Sequence, residues 1–384
     1  MTRRGNNEGS IRERADGLFE ARISLEGGKR KSVYGKTRAE VAKKMHELLH
    51  NTDQGIPVLD DRQTVKQYLE SWYEMKRPTV KESTWRPYRN HIKLRLVPNL
   101  GSTPLAKLTA QQIQLMYARL INQGAAPKTV YNCHGVLHNA LDDAVRMGVV
   151  IRNVADMVDP PRLRRYDFQI LDADQFQRFL TVIRGDRFEA LYILALSTGM
   201  REGECLALHW ADLDLAQNAL QVKLTVSETD DNRFTLAEPK TLYSRRRVLL
   251  TPLAVEALQA HWERQQIERA NMGDQYTDND LVFPNGFGGI MIPHNITKRG
   301  FKRLLAKAGL STTLRFHDLR HTAATLLIAA GVPVKVVSEM LGHSSVTITL
   351  TTYAHVLPAM QQSAVAVMTG LLGGHKLGLL TEGV

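Results

Sequence analysis

Cysteine is nearly missing from this 384-residue chain: Cys133 and Cys205 are the whole complement. Two thiols cannot staple a disulfide framework or build a cysteine-rich zinc centre, and such scarcity fits a reducing cytoplasm. Apolar runs are short, and none approaches the ~20 residues needed to span a bilayer. The opening MTRRGNNEGS has no apolar signal segment, so the expected location is the cytoplasm and no membrane is expected as a partner. Internal repeats and low-complexity tracts are absent as well, which argues against a solenoid or a disordered tail protein.

What is present is a real core and an uneven charge. Hydrophobic residues make up 43% and charged residues 23%, ordinary values for a globular chain long enough for two or three domains. The net charge of +11 divides into +3 over residues 1–60, +9 over 61–165 and −1 over 166–384. A basic excess concentrated in one block points to a polyanion, usually nucleic acid.

The patterning predicts a multidomain chain in three parts. Residues 10–35 alternate like three short strands, with turn chemistry at Asp16-Gly17 and Gly27-Gly28. A helix follows, with Thr37 as N-cap and Glu40 completing a capping box. This small α+β unit, residues 1–55, offers Arg12, Arg22, Lys29 and Lys31, and such a basic sheet suits a DNA groove. Residues 62–158 carry apolar residues at three-four spacing throughout, the pattern of an all-α domain. There Lys128, Thr129 and Asn132 lie near one helix start, where phosphates are readily bound. A Pro- and Arg-rich linker, 159–167, leads to a mainly helical α+β domain with a small sheet, 168–384.

Four stretches of that last domain share an unusual residue set: STGMREGECLAL, EPKTLYSRRRVLL, FHDLRHTAATLL and LGHSSVTITLTTYAH. Singly each has a bland reading. Arg201 is a helix-surface arginine, Lys240 a turn lysine, His343 a helix-end histidine and Tyr353 a core aromatic. HDLRH also lies one carboxylate away from the zinc-hydrolase pattern H-E-x-x-H. On a helix, however, Arg320 shares the face of His317 and His321, so a metal ion there would sit beside a permanent cation. No metal or cofactor is therefore expected. Jointly, two arginines, a lysine and two histidines supply the donors that grip and polarise a phosphodiester. A nearby tyrosine supplies a nucleophile.

In this order, TGMREGE, PKT followed by SRR, HDLRHT, and LGHSS with a tyrosine ten residues after its histidine, the motifs resemble those of the tyrosine site-specific recombinases of phages and mobile elements. The resemblance implies DNA cleavage and rejoining through a 3′-phosphotyrosine and a Holliday junction, without metal or ATP. Arg201 and Arg320 would hold the scissile phosphate, and His343 would stabilise the transition state with them. Lys240 would protonate the leaving 5′-oxygen, and Tyr353 would be the nucleophile. His317 would act beside the tyrosine as base or orienting group, Glu204 would buttress the site, and Arg245 and Arg246 would contact DNA. The same resemblance makes residues 1–55 an arm-site-binding domain and 62–158 a core-site-binding domain. Its implied partners are double-stranded DNA in a bacterial host cell, three further copies in a tetramer, and a host bending or excision factor. One departure is Ile348, where the family often has threonine. The apolar stripe of Pro358–Leu380 needs a partner, on its own domain or on a neighbouring protomer. Two other readings stay open: a type IB topoisomerase, and a catalytically silent DNA-binding regulator on the same fold.

Overall fold

The computed structural model describes residues 10–24, 30–53, 62–163, 168–229, 233–239, 242–354 and 357–372. The chain divides into two compact units, Met1–Arg165 and Tyr166–Val384, and the boundary falls inside the Pro- and Arg-rich stretch.

In the first unit, β1 (Ser10–Glu13), β2 (Phe19–Ser24) and β3 (Arg30–Gly35) form an antiparallel sheet in chain order. Side chains alternate across a strand, so Ala21 and Ile23 turn inward against Val41 and Met45 of α1 (Arg38–Asp53). The opposite face pairs Arg12 with Glu20 across β1 and β2 and Glu20 with Tyr34 across β2 and β3. At the start of α1, Thr37 Oγ1 accepts from Glu40 N at 3.2 Å. The Glu40 carboxylate reaches back to Lys36 N at 3.0 Å, so the reciprocal half of the box falls one residue early. Gly27-Gly28 lies outside the described residues.

The helical part comprises α2 (Val65–Lys76), α3 (Glu82–His91), α4 (Val97–Leu100), α5 (Ala110–Asn122) and α6 (Pro127–Arg146). Thr64 with Gln67, and Thr109 with Gln112, form true capping boxes that satisfy the first amides of α2 and α5. A π-helical turn, Ile92–Leu96, joins α3 to α4 within what the sequence presents as one helix. The apolar faces meet around Leu69, Trp72, Ile113, Met116 and Leu137. Two polar ties register α2 on α6: Tyr68 Oη donates to Ala140 O and Trp72 Nε1 to Asp143, each at 2.7 Å.

The second unit is built around α8 (Glu189–Thr198), whose residues Ala190 to Leu196 are all buried. A helix apolar on every side has to be wrapped by its neighbours. Here α7 (Ala173–Ile183), α10 (Pro252–Met272) and α12 (Phe316–Ala329) pack against it. The short α9 (Glu202–Leu206) follows α8 directly. Strands β4 (Leu213–Asp214), β5 (Ala219–Val222) and β8 (Arg246–Leu249) form one antiparallel sheet, and β6 (Thr225–Glu228) with β7 (Phe234–Ala237) a separate hairpin. The chain closes with α11 (Lys302–Lys307), α13 (Val334–Leu341), α14 (Val346–Thr352) and α15 (Leu357–Leu372). Both cysteines are buried free thiols. No helix among the described residues is long and apolar enough to cross a membrane.

The architecture is that expected from the sequence: a three-stranded sheet with one helix, an all-helical part, and a mainly helical unit with small sheets.

Candidate active site

Arg201 stands at the N-cap of α9, just beyond the end of α8. Its Nη1 donates to Glu204 Oε1 at 2.6 Å, and its amide donates to Glu204 Oε2 at 3.0 Å. Glu204 is buried, and Oε2 also accepts from Arg246 Nη2 at 3.0 Å. Burial alone would push this carboxyl up. The Arg246 and Arg201 guanidiniums outweigh burial and hold it below the usual carboxylate range. Glu204 therefore stays an anion that fixes one face of Arg201.

Arg246 corrects an expectation. It is 9% exposed, and it donates through Nε to Met340 O (2.6 Å) and through Nη1 to Ser244 O (3.0 Å), so its guanidinium is engaged within the protein. The reason is register. In β8 side chains alternate inward and outward, so Arg246 and Val248 point in while Arg247 points out. Arg246 thus braces β8 against the end of α13. Arg245 is exposed and donates to Glu238 at 2.6 Å.

Arg320 lies on α12 and is almost fully buried. Its Nη1 donates to Gly199 O at 2.8 Å, while its buried Nη2 has no partner among the described residues. Burial, with Arg201 nearby, pushes its pKa down to about 9, so the group remains cationic at neutral pH. A buried N–H with no acceptor costs about 1–3 kcal/mol or more for a charged group, unless a ligand supplies the acceptor.

His343 is delivered by the end of α13. Gly342 adopts the left-handed conformation, with its amide donating to Glu339 O and the His343 amide to Ser338 O, the two bonds of a Schellman cap. His343 Nδ1 lies 2.7 Å from Thr349 Oγ1 on α14, which leaves Nε2 for a ligand. Burial, then Arg320 and Arg201, pushes the imidazole down to about 4. Ile348, the departure noted in the sequence, is exposed, and the adjacent Thr349 provides the buried hydroxyl.

Tyr353 caps α14 and is 1% exposed. Burial raises its phenol to about 12, partly offset by Arg320. Its Oη lies 3.0 Å from Nδ1 of His321. The hydrogen bond to the phenol thus belongs to His321, one turn on from His317. His317 instead meets the His321 ring edge-on, 5.0 Å between centroids. Both imidazoles are pushed down to about 4, in each case mainly by burial. Phe168 stacks flat on His321, with centroids 4.2 Å apart and planes 13° apart. Sequence reasoning missed Phe168, which lies outside the four stretches, and Thr349, which lies within the last of them but looks like any other threonine there.

Arg201, Arg320, His317, His343, Tyr353 and Glu204 therefore gather where α9, α12, the α13 cap and α14 converge. Lys240 lies outside the described residues, in the sequence between β7 and β8. Beside His343 opens a groove of about 380 Å³ lined by Tyr243, Arg245, Lys335, Ser344 and Ser345 among others.

The remaining expected DNA-facing residues belong to the first unit. Arg12 and Arg22 both pair with Glu20, at 2.6 and 3.2 Å, and hydrogen bonding to Arg12 above all holds Glu20 down at about 2. Their charge is thus partly neutralised in place. Lys31 is half-buried on β3, and Lys29 lies outside the described residues. On the first two turns of α6, Lys128 and Asn132 are exposed and Thr129 half-buried, with the Lys128 ammonium 5.0 Å from the Tyr131 ring centroid.

The chain matches the phage integrase family over residues 169–360 and the N-terminal SAM-like domain of phage integrases over 64–121. It is 30% identical to a tyrosine recombinase XerC-like protein of Caldanaerobacter subterraneus, over 90% of this chain and 93% of that one. It is also 30% identical to the ICEBs1 integrase of Bacillus subtilis, over 70% of this chain and 72% of that one. Its fold is similar to that of the Tn1549 transposon integrase in complex with transposon right end DNA, with a TM-score of 0.68, 24% identity, and 80% and 99% of the two chains covered. A lambda integrase tetramer bound to a Holliday junction is similar at a TM-score of 0.57 and 18% identity, covering 91% of this chain and 96% of that one.

Proposed function

The chain belongs to the phage integrase family and is a tyrosine site-specific recombinase, and from that premise we propose how its own residues carry the reaction. The substrate is double-stranded DNA at the attachment sites of a mobile element, which the enzyme integrates or excises in the cytoplasm of a bacterial host. Arg201 and Arg320 hold the non-bridging oxygens of the scissile phosphate, as bidentate guanidiniums do well. His343 adds a donor through Nε2. Tyr353 attacks phosphorus and becomes the 3′-phosphotyrosine, and Lys240 protonates the leaving 5′-oxygen. The ester conserves the bond energy, so rejoining needs neither ATP nor a metal.

One observation carries this reading: the buried Nη2 of Arg320, without a partner among the described residues, on a guanidinium that feels the charges of both Arg201 and Tyr353. An anion between them satisfies that donor and offsets the repulsion of two arginines. The lambda integrase tetramer on a Holliday junction supports a tetramer here too. Residues 62–158 then act as the core-site-binding domain and residues 1–55 as the arm-site-binding domain, with 159–167 as the tether and a host bending or excision factor as accessory partner.

A nicked suicide substrate bearing the element's own junction sequence tests the assignment. Wild type should accumulate a covalent protein–DNA adduct in EDTA. Tyr353→Phe should form none while binding DNA with nearly unchanged affinity. An adduct in the Phe variant removes Tyr353 from the role. Relaxation of any plasmid regardless of sequence would mark a topoisomerase, and no cleavage at all a silent regulator.

A further inference from the structure

The phenol of Tyr353 meets one proton acceptor among the described side chains, and it is not the histidine that the sequence motif suggests. We propose that Nδ1 of His321 takes the Tyr353 proton during cleavage and that Phe168 holds the imidazole in place to do so. The proposal rests on the reading of Tyr353 as nucleophile.

Three observations converge. First, Tyr353 Oη lies 3.0 Å from His321 Nδ1, a hydrogen-bond distance already formed without DNA. With the phenol as donor, Nδ1 presents its lone pair and the ring proton sits on Nε2. Second, the tyrosine is almost wholly buried, and water has little access to its hydroxyl. A buried phenol needs an adjacent base, because its proton has no solvent to leave to. Third, Phe168 stacks face to face on His321 and meets Tyr353 edge-on, with centroids 5.8 Å apart. One aromatic ring thus fixes both partners of the hydrogen bond.

The charges around His321 favour its neutral form before DNA arrives. Burial acts first, and Arg315 and Arg320 on its own helix act against a second cation while Asp318 acts for it. His317 lies edge-on from the preceding turn, and His343 and Tyr353 face it from beyond α12. A phosphodiester entering between Arg201 and Arg320 brings negative charge to this cluster, which raises the proton affinity of the imidazole. The base then gains strength as the substrate binds.

The step balances. The Oη–H bond breaks toward Nδ1 while Oη bonds to phosphorus. The bond from phosphorus to the 5′-oxygen breaks, and that oxygen leaves with the electron pair and takes a proton from Lys240. In rejoining, the 5′-hydroxyl returns its proton to Lys240, and Oη leaves phosphorus and recovers its own from His321.

The test is single-turnover cleavage by the full-length protein on the suicide substrate. His321→Ala should slow adduct formation by about 10²- to 10⁴-fold, the usual share of general base catalysis, with binding little changed. His321→Gln keeps a hydrogen-bond acceptor that cannot take a proton, and should be about as slow. Placing 3,5-difluorotyrosine at position 353 supplies a more acidic phenol. It should restore most of the rate to both His321 variants and none to Arg201→Ala. Phe168→Ala should be slowed less and rescued by the same substitution, because it acts through His321. Near-normal cleavage by His321→Gln reduces the histidine to an orienting contact, and failure of the fluorinated tyrosine to rescue removes it as the base. In either case Tyr353 would still form the adduct, whereas loss of the nucleophile assignment would appear as an adduct in Tyr353→Phe.

Discussion

The three histidines of the site make its stability a function of pH. His317, His321 and His343 are each held near 4, against an ordinary value of 6.5. Between those two values the unfolded chain binds protons that the folded chain refuses. Stability therefore rises with pH through this window and is lost as pH falls. Glu204 works in the same direction through a lower window: its carboxyl is held below 4.5, so its contribution fades only beneath the usual carboxylate range. Thermal melts of the DNA-free protein should show a midpoint that declines from about pH 6.5 downward. In His343→Gln the decline should be shallower above about pH 4.5. An unchanged slope would mean that His343 is not neutral in the fold. DNA should oppose the trend, since phosphate favours the protonated rings and complex formation should take up protons. Which side chains are involved was largely legible, as Arg201, Arg320, His343 and Tyr353 stand in motifs. The choice between His317 and His321 was not. Both share one face of α12, and only the packing of α14, a non-local fact, decides which meets the phenol.

The ends of helices do much of the positioning, and here the sequence is readable in part. Gly342 after Leu341 signals a left-handed cap, and φ is +69°. What the sequence does not show is what lies above that glycine. A Cβ there would sit 2.8 Å from Arg246 Nη1, whose guanidinium is already tied to Glu204, Met340 O and Ser244 O. Gly342→Ala therefore combines a left-handed backbone with a neighbour that cannot withdraw. The expected cost is about 1–3 kcal/mol, together with slower cleavage because His343 follows immediately. Gly331, at φ +85° beyond α12, is the control, with nothing within 4 Å of its Cβ position. Gly331→Ala should cost about 1 kcal/mol or somewhat more from backbone strain alone, with the cleavage rate intact. Urea denaturation and single-turnover kinetics on both variants separate strain from displacement. Equal cleavage rates in the two would sever the link between the cap and the catalytic histidine. The same distinction explains Arg246: three consecutive arginines look alike in the sequence until β8 is paired and its alternation assigned.

Over the whole chain, charge is segregated from chemistry. The +9 of residues 61–165 contrasts with −1 over residues 166–384, so long-range attraction for a polyanion lies mainly outside the catalytic part. That contrast was plain from composition, whereas the small sheet's true charge was not, because Glu20 offsets Arg12 and Arg22 on one face. Exposed Val365, Met368 and Leu371 on α15 leave an apolar surface. Removal of residues 1–55 should therefore leave core-site affinity close to that of the full chain, since only +3 lies in residues 1–60 and the basic helical block remains. It should erase footprints at distal arm sites. Core-site binding should still weaken steeply with salt, because each neutralised phosphate contributes about −0.9 to the slope of log affinity against log salt on duplex DNA. The slopes of the full and truncated chains should then differ little on the core site and clearly on a substrate that carries arm sites. Footprinting and salt titrations on both substrates decide it: identical footprints after truncation would show that the N-terminal sheet does not read DNA.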